Sequence, residues 1–214
     1  MSTAQQVRVA VLDGHALVAT ALGALLERYG LGVATTASTW DALIAHPALP
    51  VDVVVLDLHL HDGLLIGRRV RELSDLGMAT VVVSRRTDAA SVATAMRAGA
   101  LAFVSTTDAA DELVTAIRTA ARGGQHLADD RARAARAVSS GLDVGLGRQE
   151  ERAIVLYASG RSVREVAQLM VTTEETVKSY IKRARRKYTA HGIDLGTRQQ
   201  LRHHAAAQGW HVPD

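Results

Sequence analysis

Five short apolar runs rich in β-branched residues, each followed by a segment with helical periodicity, dominate residues 7–122. Runs such as VDVVVLD and ATVVVS are apolar at nearly every position, which is typical of strands buried on both faces of a parallel sheet. Strands that alternate with helices in this way predict a doubly wound α/β domain with a five-stranded parallel sheet. We expect strands at Val7–Leu12, Val33–Ala37, Val51–Asp57, Ala79–Val83 and Ala102–Val104, and helices at about 15–29, 40–46, 64–74, 89–98 and 108–122.

The polar residues that follow these strands mark the expected functional edge of the sheet. In doubly wound sheets the binding crevice lies beyond the carboxyl ends of the strands. Those ends carry Asp13, Asp57, Ser84 and the pair Ser105–Thr106. We therefore expect these side chains to line one crevice.

A change of pattern divides the chain into three parts. Residues 1–125 form the α/β domain, because Gly123 and Gly124 follow its last helix as a typical stop signal. Residues 126–143 are rich in Ala and Arg and predict a helical or partly disordered connector. Residues 144–214 show helical periodicity only and predict a four-helix, all-α domain.

Basic charge is concentrated in the last third of the chain. Residues 1–125 carry 10 Arg and 12 acidic residues, a net charge of −2, whereas residues 144–214 carry 12 basic and 7 acidic residues, a net charge of +5. Of the 25 basic residues in the chain only three are lysines, and Lys178, Lys182 and Lys187 lie within ten residues of one another. A high-GC genome accounts for a general preference for arginine but not for this clustering. The cluster favours a nucleic-acid contact over a merely solvated helix face.

Two short capped helices are predicted in this basic region. Ser162 and Glu165 have the spacing of a capping box that opens the helix VREVAQLM. A polar turn, VTT, leads to a second capped start at Thr172 or Thr173 and to the helix EETVKSYIKRARRKY. Such a pair has the geometry of a helix-turn-helix, whose second helix enters the major groove of DNA. A last helix at about Thr197–Gln208 completes the domain.

The second helix of the pair has one apolar and one basic face. Val177, Ile181 and Ala184 share one face of this helix, which we expect to be buried. An ordinary amphipathic helix hairpin is the simpler alternative to a DNA-binding helix-turn-helix. A flanking exposed stripe, one position further along the helix, supplies donors for phosphates and guanine edges, and the threonines at the helix start suit phosphate oxygens. The residues expected to contact DNA are Thr172, Thr173, Thr176, Lys178, Ser179, Lys182, Arg185 and Arg186.

Several classes of protein are excluded or disfavoured. The sequence has no cysteine, which excludes disulfides, thiolate metal sites and thiol catalysis. It has no P-loop, no G-x-S-x-G and no HExxH motif, and we expect that the chain is not an enzyme. No apolar run reaches the ~18–20 residues of a membrane span, and the N-terminus lacks the features of a signal peptide. We therefore expect a cytoplasmic protein with no membrane partner.

The segment LGRQEERAIVLYASGRSVREVAQLMVTTEETVKSYIKRARRKY resembles the LuxR-type helix-turn-helix of the NarL/FixJ response-regulator family. The resemblance covers the C-terminal domain, and TVKSYI-K is its most specific part. It implies that Lys178, Ser179 and Lys182 contact the groove and that the final helix forms a dimer interface. The segment TAHGIDLGTRQQL after Tyr188 is longer than the corresponding connector of the family.

Residues 1–125 resemble the receiver domain of response regulators. VRVAVLDGHALV is similar to its first strand and acidic turn, VVVLDL to its third strand, VVVS to its fourth strand and AGALAFVST to its fifth. The resemblance implies a phosphoryl acceptor at Asp57, a hydroxyl at Ser84 and an aromatic switch residue at Phe103. It also implies a Mg²⁺ ion held by acidic side chains.

Two parts of that phosphorylation site are missing. Asp13 remains of the acidic pair, but its partner is Gly14, and Thr106 (or Ser105, if the alignment shifts by one residue) stands where the family has lysine. Loss of a carboxylate weakens Mg²⁺ binding, and loss of one electrostatic donor costs ~3 kcal/mol in a catalytic site. We therefore expect no cofactor, with Mg²⁺ at Asp13 and Asp57 disfavoured, and a receiver that works without ordinary phosphorylation.

The resulting hypothesis is a transcriptional regulator that binds double-stranded DNA as a homodimer, under the control of a small-molecule ligand or of dimerisation alone. One alternative is a response regulator that a sensor kinase activates at Asp57. Another, of a different class, is an adaptor that binds RNA or protein instead of promoters. At the crevice, His15, His59 and His61 near Asp13 and Asp57 also suggest a transition-metal site, for which polar loop residues are the simpler interpretation.

Overall fold

The chain folds into two compact units, each with its own hydrophobic core. The computed structural model describes residues 6–58, 60, 62–137, 144–208 and 210. The first unit comprises Met1–Leu60 with Ile66–Val138, and the second comprises His61–Leu65 with Ser139–Asp214.

The first unit is built on a five-stranded parallel sheet with the strand order β2-β1-β3-β4-β5. Its strands are β1 (Arg8–Leu12), β2 (Gly32–Ala37), β3 (Val53–Asp57), β4 (Ala79–Ser84) and β5 (Ala102–Ser105). The helices that connect and follow them are α1 (Ala16–Arg28), α2 (Trp40–Ile44), α3 (Ile66–Asp75), α4 (Ala89–Arg97) and α5 (Ala110–Ala120). The doubly wound α/β fold predicted from the apolar runs is confirmed.

Both faces of this sheet are buried. Successive residues of a strand point to opposite faces. On one face Val9 and Val53 pack with side chains of α1 and α5. Ala10 and Val54, the next residues along the same strands, are also fully buried. A sheet without an exposed face explains why these strands are apolar at nearly every position.

Part of the expected connector is a helix of the first unit. Helix α6 (Asp129–Ala137) packs against α4, and His126 forms an isolated parallel bridge with Ala102 of β5. The predicted end of the first domain at residue 125 therefore differs from the structure, in which the first unit extends through α6. The rest of the predicted connector, residues 138–143, lies outside the described residues.

The second unit contains the four predicted helices, α7 (Arg148–Ala158), α8 (Val163–Met170), α9 (Glu174–Ala190) and α10 (Arg198–Ala207). Helix α7 packs against each of the other three, and its Ile154, Val155 and Leu156 are buried. The longer segment after Tyr188 still leads into a packed final helix, because Leu201 of α10 is fully buried. In the described part of the chain no helix has both the length and the apolar character to cross a bilayer.

Side-chain caps define the turn between α8 and α9. Ser162 and Glu165 form the reciprocal bonds of a capping box: the Glu165 N–H donates to Ser162 Oγ at 3.2 Å and the Ser162 N–H donates to Glu165 Oε2 at 2.7 Å. Thr173, rather than Thr172, caps α9, because its Oγ1 accepts a hydrogen bond from the Thr176 N–H at 3.2 Å. The helix-turn-helix therefore has the local signals that the sequence predicts.

Candidate nucleic-acid interface and strand-end crevice

The strand order places a crevice between the carboxyl ends of β1 and β3, where successive connections leave in opposite directions. Asp13 follows β1 directly, and Asp57 is the last residue of β3. Asp13, Asp57 and His15 each have one potential ligand atom within 4.8 Å of those of the other two. The structure thus brings the two predicted carboxylates together and places an imidazole beside them.

Asp13 is held by His15, which is the residue before α1. The Asp13 Oδ1 accepts a hydrogen bond from the His15 backbone N–H at 2.8 Å and lies 3.3 Å from the His15 Nδ1. The Asp13 side chain is 15% exposed and that of His15 is 61% exposed. The carboxylate is therefore fixed, and the imidazole is open to solvent. His59 and His61 lie outside the described residues.

Ser84 and Thr106 contribute differently to the same edge. Ser84 ends β4 and is buried, and its Oγ accepts a hydrogen bond from the Arg86 N–H at 3.0 Å. Thr106 follows β5, is exposed, and donates its backbone N–H to the Ser84 carbonyl at 3.0 Å. Ser105 ends the strand and is buried, as is Phe103 within it. Either Ser105 or Thr106 stands at the position where the family has lysine, and of the two only Thr106 is exposed.

The crevice retains part of the Mg²⁺ site that the receiver resemblance implies. Mg²⁺ prefers oxygen ligands in a near-octahedral arrangement. Here the residue after Asp13 is Gly14, which has no side chain, and the third potential ligand in the cluster is the imidazole of His15. Two carboxylates therefore remain as possible oxygen ligands, one fewer than the resemblance implies, and we expect Mg²⁺ binding to be weaker.

Helix α9 is amphipathic, as the sequence predicts. Val177, Ile181 and Ala184 are buried against the other helices of the second unit. The ion pair between Lys178 Nζ and Glu175 Oε2, at 3.2 Å, is exposed on both sides and therefore weak. The exposed residues that we call the basic face of α9 are Lys178, Ser179, Lys182 and Arg186.

Arg185 does not continue this face, contrary to the prediction. Its side chain is half-buried, with the guanidinium carbon 5.9 Å from the centre of the Tyr157 ring. Its Nε is enclosed and has no hydrogen-bond partner among the described residues. Arg185 therefore packs on the unit itself and offers DNA less than its neighbour Arg186 does.

The third lysine of the predicted cluster, Lys187, is bound by the carboxylate of Glu150. The Glu150 Oε2 accepts hydrogen bonds from Lys187 Nζ at 2.7 Å and from the Gly147 N–H at 3.0 Å, and its Oε1 accepts one from Arg183 Nε at 3.1 Å. Burial by itself raises the pKa of Glu150, but these hydrogen bonds and charges hold the pKa below its ordinary value. At ~100° per residue, Lys187 lies roughly 180° around α9 from Lys178. Helical spacing alone therefore separates Lys187 from the basic face.

The threonines predicted to contact DNA lie at the start of α9, where their side chains are already hydrogen-bonded or partly buried. The hydroxyls of Thr173 and Thr176 are hydrogen-bonded to each other at 2.9 Å, and Thr172 is half-buried. Glu174 and Glu175 lie in the same turn. Their carboxylates oppose an approaching phosphate, so the basic face further along α9 is the stronger candidate for contacts with DNA.

A pair that the sequence did not reveal fastens α6 to the segment after β5. Arg131 donates from Nη1 and Nη2 to the two carboxylate oxygens of Asp108, each at 2.7 Å. Asp108 also accepts a hydrogen bond from the Ser105 N–H at 2.8 Å. The side chains of Arg131 and Asp108 are 12% and 21% exposed. The hydrogen bond from Arg131 lowers the pKa of Asp108, and Asp108 raises the pKa of Arg131.

Comparison with known proteins agrees with this architecture. The family model of the response regulator receiver domain matches residues 9–118, and that of sigma-70, region 4, matches residues 145–187. The transcriptional regulatory protein UhpA of Escherichia coli K12 is 31% identical over 173 residues, which cover 80% of this chain and 86% of UhpA. The transcriptional regulatory protein LiaR of Bacillus subtilis 168 is 30% identical over 188 residues, 82% of this chain and 87% of LiaR.

A solved structure of RcsB from Salmonella enterica serovar Typhimurium, bound to promoter rprA, has the same fold. It is 19% identical, covers 94% of this chain and 99% of its own, and has a TM-score of 0.56. The two units thus define the class of protein, a receiver domain joined to a helix-turn-helix domain. The chain belongs to the NarL/FixJ family of response regulators.

Proposed function

We propose that this response regulator is a transcriptional regulator that binds double-stranded DNA through the basic face of α9. The observation that carries the proposal is the division of α9 between a buried apolar face and the exposed side chains of Lys178, Ser179 and Lys182. A rigid helix that presents cations to solvent suits insertion into a major groove. UhpA and LiaR, to which the chain is similar, are both transcriptional regulatory proteins by name.

The double variant Lys178→Ala/Lys182→Ala tests this function. We expect duplex affinity to fall on the order of 10–100-fold, because two charge-assisted contacts are lost. The slope of log affinity against log salt should also decrease by roughly 1.8, about 0.9 for each phosphate contact. The measurement is a fluorescence-anisotropy titration of genomic duplex fragments at several fixed salt concentrations.

The matched control is Arg97→Ala/Arg122→Ala, which removes two exposed charges from the first unit. Equal losses in the two double variants would show that only net charge matters and would count against the basic face. Preferential retention of RNA by the wild-type chain would favour the adaptor alternative. A homodimer that reads two half-sites is part of the proposal, and sedimentation equilibrium with and without duplex tests it.

The second part of the proposal is that the receiver works without ordinary phosphorylation of Asp57, under the control of a ligand or of dimerisation. Gly14 supplies no carboxylate beside Asp13, and Thr106 supplies no cation. These features support a crevice that stabilises a transferred phosphoryl group poorly.

Incubation of the full chain with acetyl phosphate and Mg²⁺, followed by intact-mass measurement, tests this second part. We expect no added phosphoryl mass in the wild type, since the missing cation alone corresponds to a rate loss on the order of 100-fold. The variant Gly14→Asp/Thr106→Lys, which restores both groups, should gain a phosphoryl group that Asp57→Asn in the same background removes. A wild-type adduct that disappears in Asp57→Asn would contradict the proposal and support a kinase-driven regulator.

A further inference from the structure

We infer that Val171, in the turn between α8 and α9, recognises a thymine by packing its methyl groups against the 5-methyl group of the base. The inference rests on the proposed function, since it names a specificity-determining contact of the same DNA interface. It concerns residues of the second unit only. Val171 is not among the residues that the sequence predicted to contact DNA, because the segment VTT was interpreted as a polar turn.

Val171 has a backbone conformation that is unfavourable for its side chain. Its φ of 51° and ψ of 56° lie in the left-handed region, and it is the one residue other than glycine with a positive φ in the described part of the chain. A branched side chain in this region crowds the backbone. The turn nevertheless holds it there, because the Thr172 N–H donates to the Ala167 carbonyl at 3.0 Å and the Val171 N–H donates to the Gln168 carbonyl at 3.2 Å.

Other helices of this chain place glycine where the backbone becomes left-handed after the last turn. Helices α1, α3, α4, α5, α7 and α9 are each followed by a glycine with a φ between 75° and 106°. These residues are Gly30, Gly77, Gly99, Gly123, Gly160 and Gly192. A glycine at position 171 would form the same two backbone hydrogen bonds without crowding. The fold alone therefore does not explain the valine.

The side chain of Val171 also gains almost nothing from packing within the second unit. Val171 is 92% exposed, whereas Val166 and Val177, in the two helices that flank the turn, are fully buried. An unfavourable backbone conformation and an apolar side chain in water thus coincide at one residue. Strained residues occur preferentially at functional sites. A contact that forms only in a complex accounts for both features.

The position of Val171 beside the start of α9 indicates what it contacts. It precedes the N-cap residue Thr173 by two positions, so their Cα atoms are at most about 7 Å apart. In a helix-turn-helix the N-terminal residues of the second helix lie against base edges in the major groove. The apolar group that a base pair presents there is the 5-methyl group of thymine. The carboxylates of Glu174 and Glu175 oppose a phosphate at this end of the helix but not an uncharged methyl group.

Replacement of thymine by uracil tests the inference, because it removes the 5-methyl group and keeps every hydrogen-bonding group of the base. The probe is a duplex that the wild-type full chain selects from a random-sequence pool, with each thymine replaced in turn by deoxyuridine. Fluorescence anisotropy should identify a thymine whose replacement lowers wild-type affinity about 4-fold, as expected for one lost methyl contact. Val171→Gly should bind the thymine duplex about 4-fold more weakly and should not distinguish uracil from thymine at that position.

A second readout requires no DNA. Val171→Gly should raise the melting temperature of the second unit by about 2–5 °C, because the relief of crowding outweighs the greater backbone entropy of glycine in the unfolded chain. A valine that is present only for stability predicts the opposite change. Leu169→Ala is the matched control, since it removes another exposed apolar side chain, 45% accessible, from the end of α8. It should keep the wild-type response to uracil.

The inference is overturned if no thymine in the selected duplex responds to uracil, if Val171→Gly responds as the wild type does, or if Leu169→Ala loses the response. A lower melting temperature for Val171→Gly also overturns it. If Val171→Gly binds every duplex as the wild type does but alters transcription from that duplex in a purified system, Val171 contacts a protein instead of a base. None of these outcomes changes the loss of affinity expected for Lys178→Ala/Lys182→Ala, so the proposed function and this inference fail separately.

Discussion

Replacement of Val177 by aspartate is expected to unfold the second unit, whereas the same replacement one residue later, Lys178→Asp, should leave it folded and unable to bind DNA. Val177 is fully buried between α7, α8 and α9. An aspartate there loses about 1.5–3 kcal/mol of apolar burial and places a carboxylate where it has no partner. The sum is of the order of 5 kcal/mol, which is as large as the whole stability of many small domains.

Lys178 is exposed, and its side chain is 58% accessible in the ion pair with Glu175. Lys178→Asp adds a third acidic residue beside Glu174 and Glu175, which costs an exposed helix at most about 0.5 kcal/mol. DNA binding should nevertheless be lost, because the substitution replaces a cation of the basic face with an anion. Far-ultraviolet circular dichroism on heating and a duplex titration give the two readouts.

The adjacent pair of variants is informative because both place an aspartate in the same helix, at neighbouring positions. If Val177→Asp melted like the wild type, the buried face of α9 would be misassigned. If Lys178→Asp kept full duplex affinity at low salt, the basic face would not be the DNA interface. The two results are independent, because one depends on packing and the other on the solvent side of the helix.

The second large effect is expected at Arg131, which fastens α6 to Asp108. Arg131→Leu leaves the carboxylate of Asp108 mostly buried and without its cation. Breaking a fully buried pair costs about 3–5 kcal/mol, and with partial solvent access on both sides we expect about 2 kcal/mol. For a unit of this size the melting temperature should fall by about 8 °C. Arg133→Leu, on the exposed side of the same helix, should have almost no effect.

The pH dependence of this effect has a definite sign. The hydrogen bond from Arg131 lowers the pKa of Asp108 in the folded protein. A lowered carboxyl pKa contributes stability above the unfolded pKa of about 3.9, and this contribution is lost as the pH falls through the folded value. The difference between wild type and Arg131→Leu should therefore be largest near neutral pH and shrink in acid. A difference that grows in acid would contradict the ion pair.

A double variant distinguishes loss of the ion pair between Arg131 and Asp108 from loss of packing around the Arg131 side chain. Asp108→Asn keeps an acceptor for the Ser105 N–H and removes the charge. Arg131→Leu/Asp108→Asn should therefore be more stable than Arg131→Leu alone, because no unpaired carboxylate is left. If Arg131→Leu proves as stable as Arg133→Leu, the Asp108 pair does not hold α6 to the first unit.

The sheet and the helices could be predicted because their signals are local. A strand with both faces buried is apolar throughout, and a capped helix carries Ser or Thr with Glu or Gln three residues on, as at Ser162 and Glu165. The grouping of Asp13 and Asp57 follows from the same logic, since the carboxyl ends of neighbouring parallel strands meet at one edge. No knowledge of side-chain packing is needed for either step.

The features that the sequence did not reveal depend on partners from distant segments. Arg131 and Asp108 are 23 residues apart, and neither stands out in its own segment. Arg185 is drawn away from solvent by Tyr157 of another helix. By contrast, helical spacing alone places Lys187 on the other side of α9 from Lys178. Its separation from the basic face could therefore have been predicted from the sequence.

The distribution of lysine in the structure has a chemical consequence. All three side-chain amines of the protein lie on α9, and one of them, Lys187, is bound by Glu150. A reagent that acylates lysine side chains therefore reacts only on α9, most readily at the exposed Lys178 and Lys182. Apart from the α-amino group of Met1, such acylation with and without a duplex would report on α9 and on no side chain of the first unit.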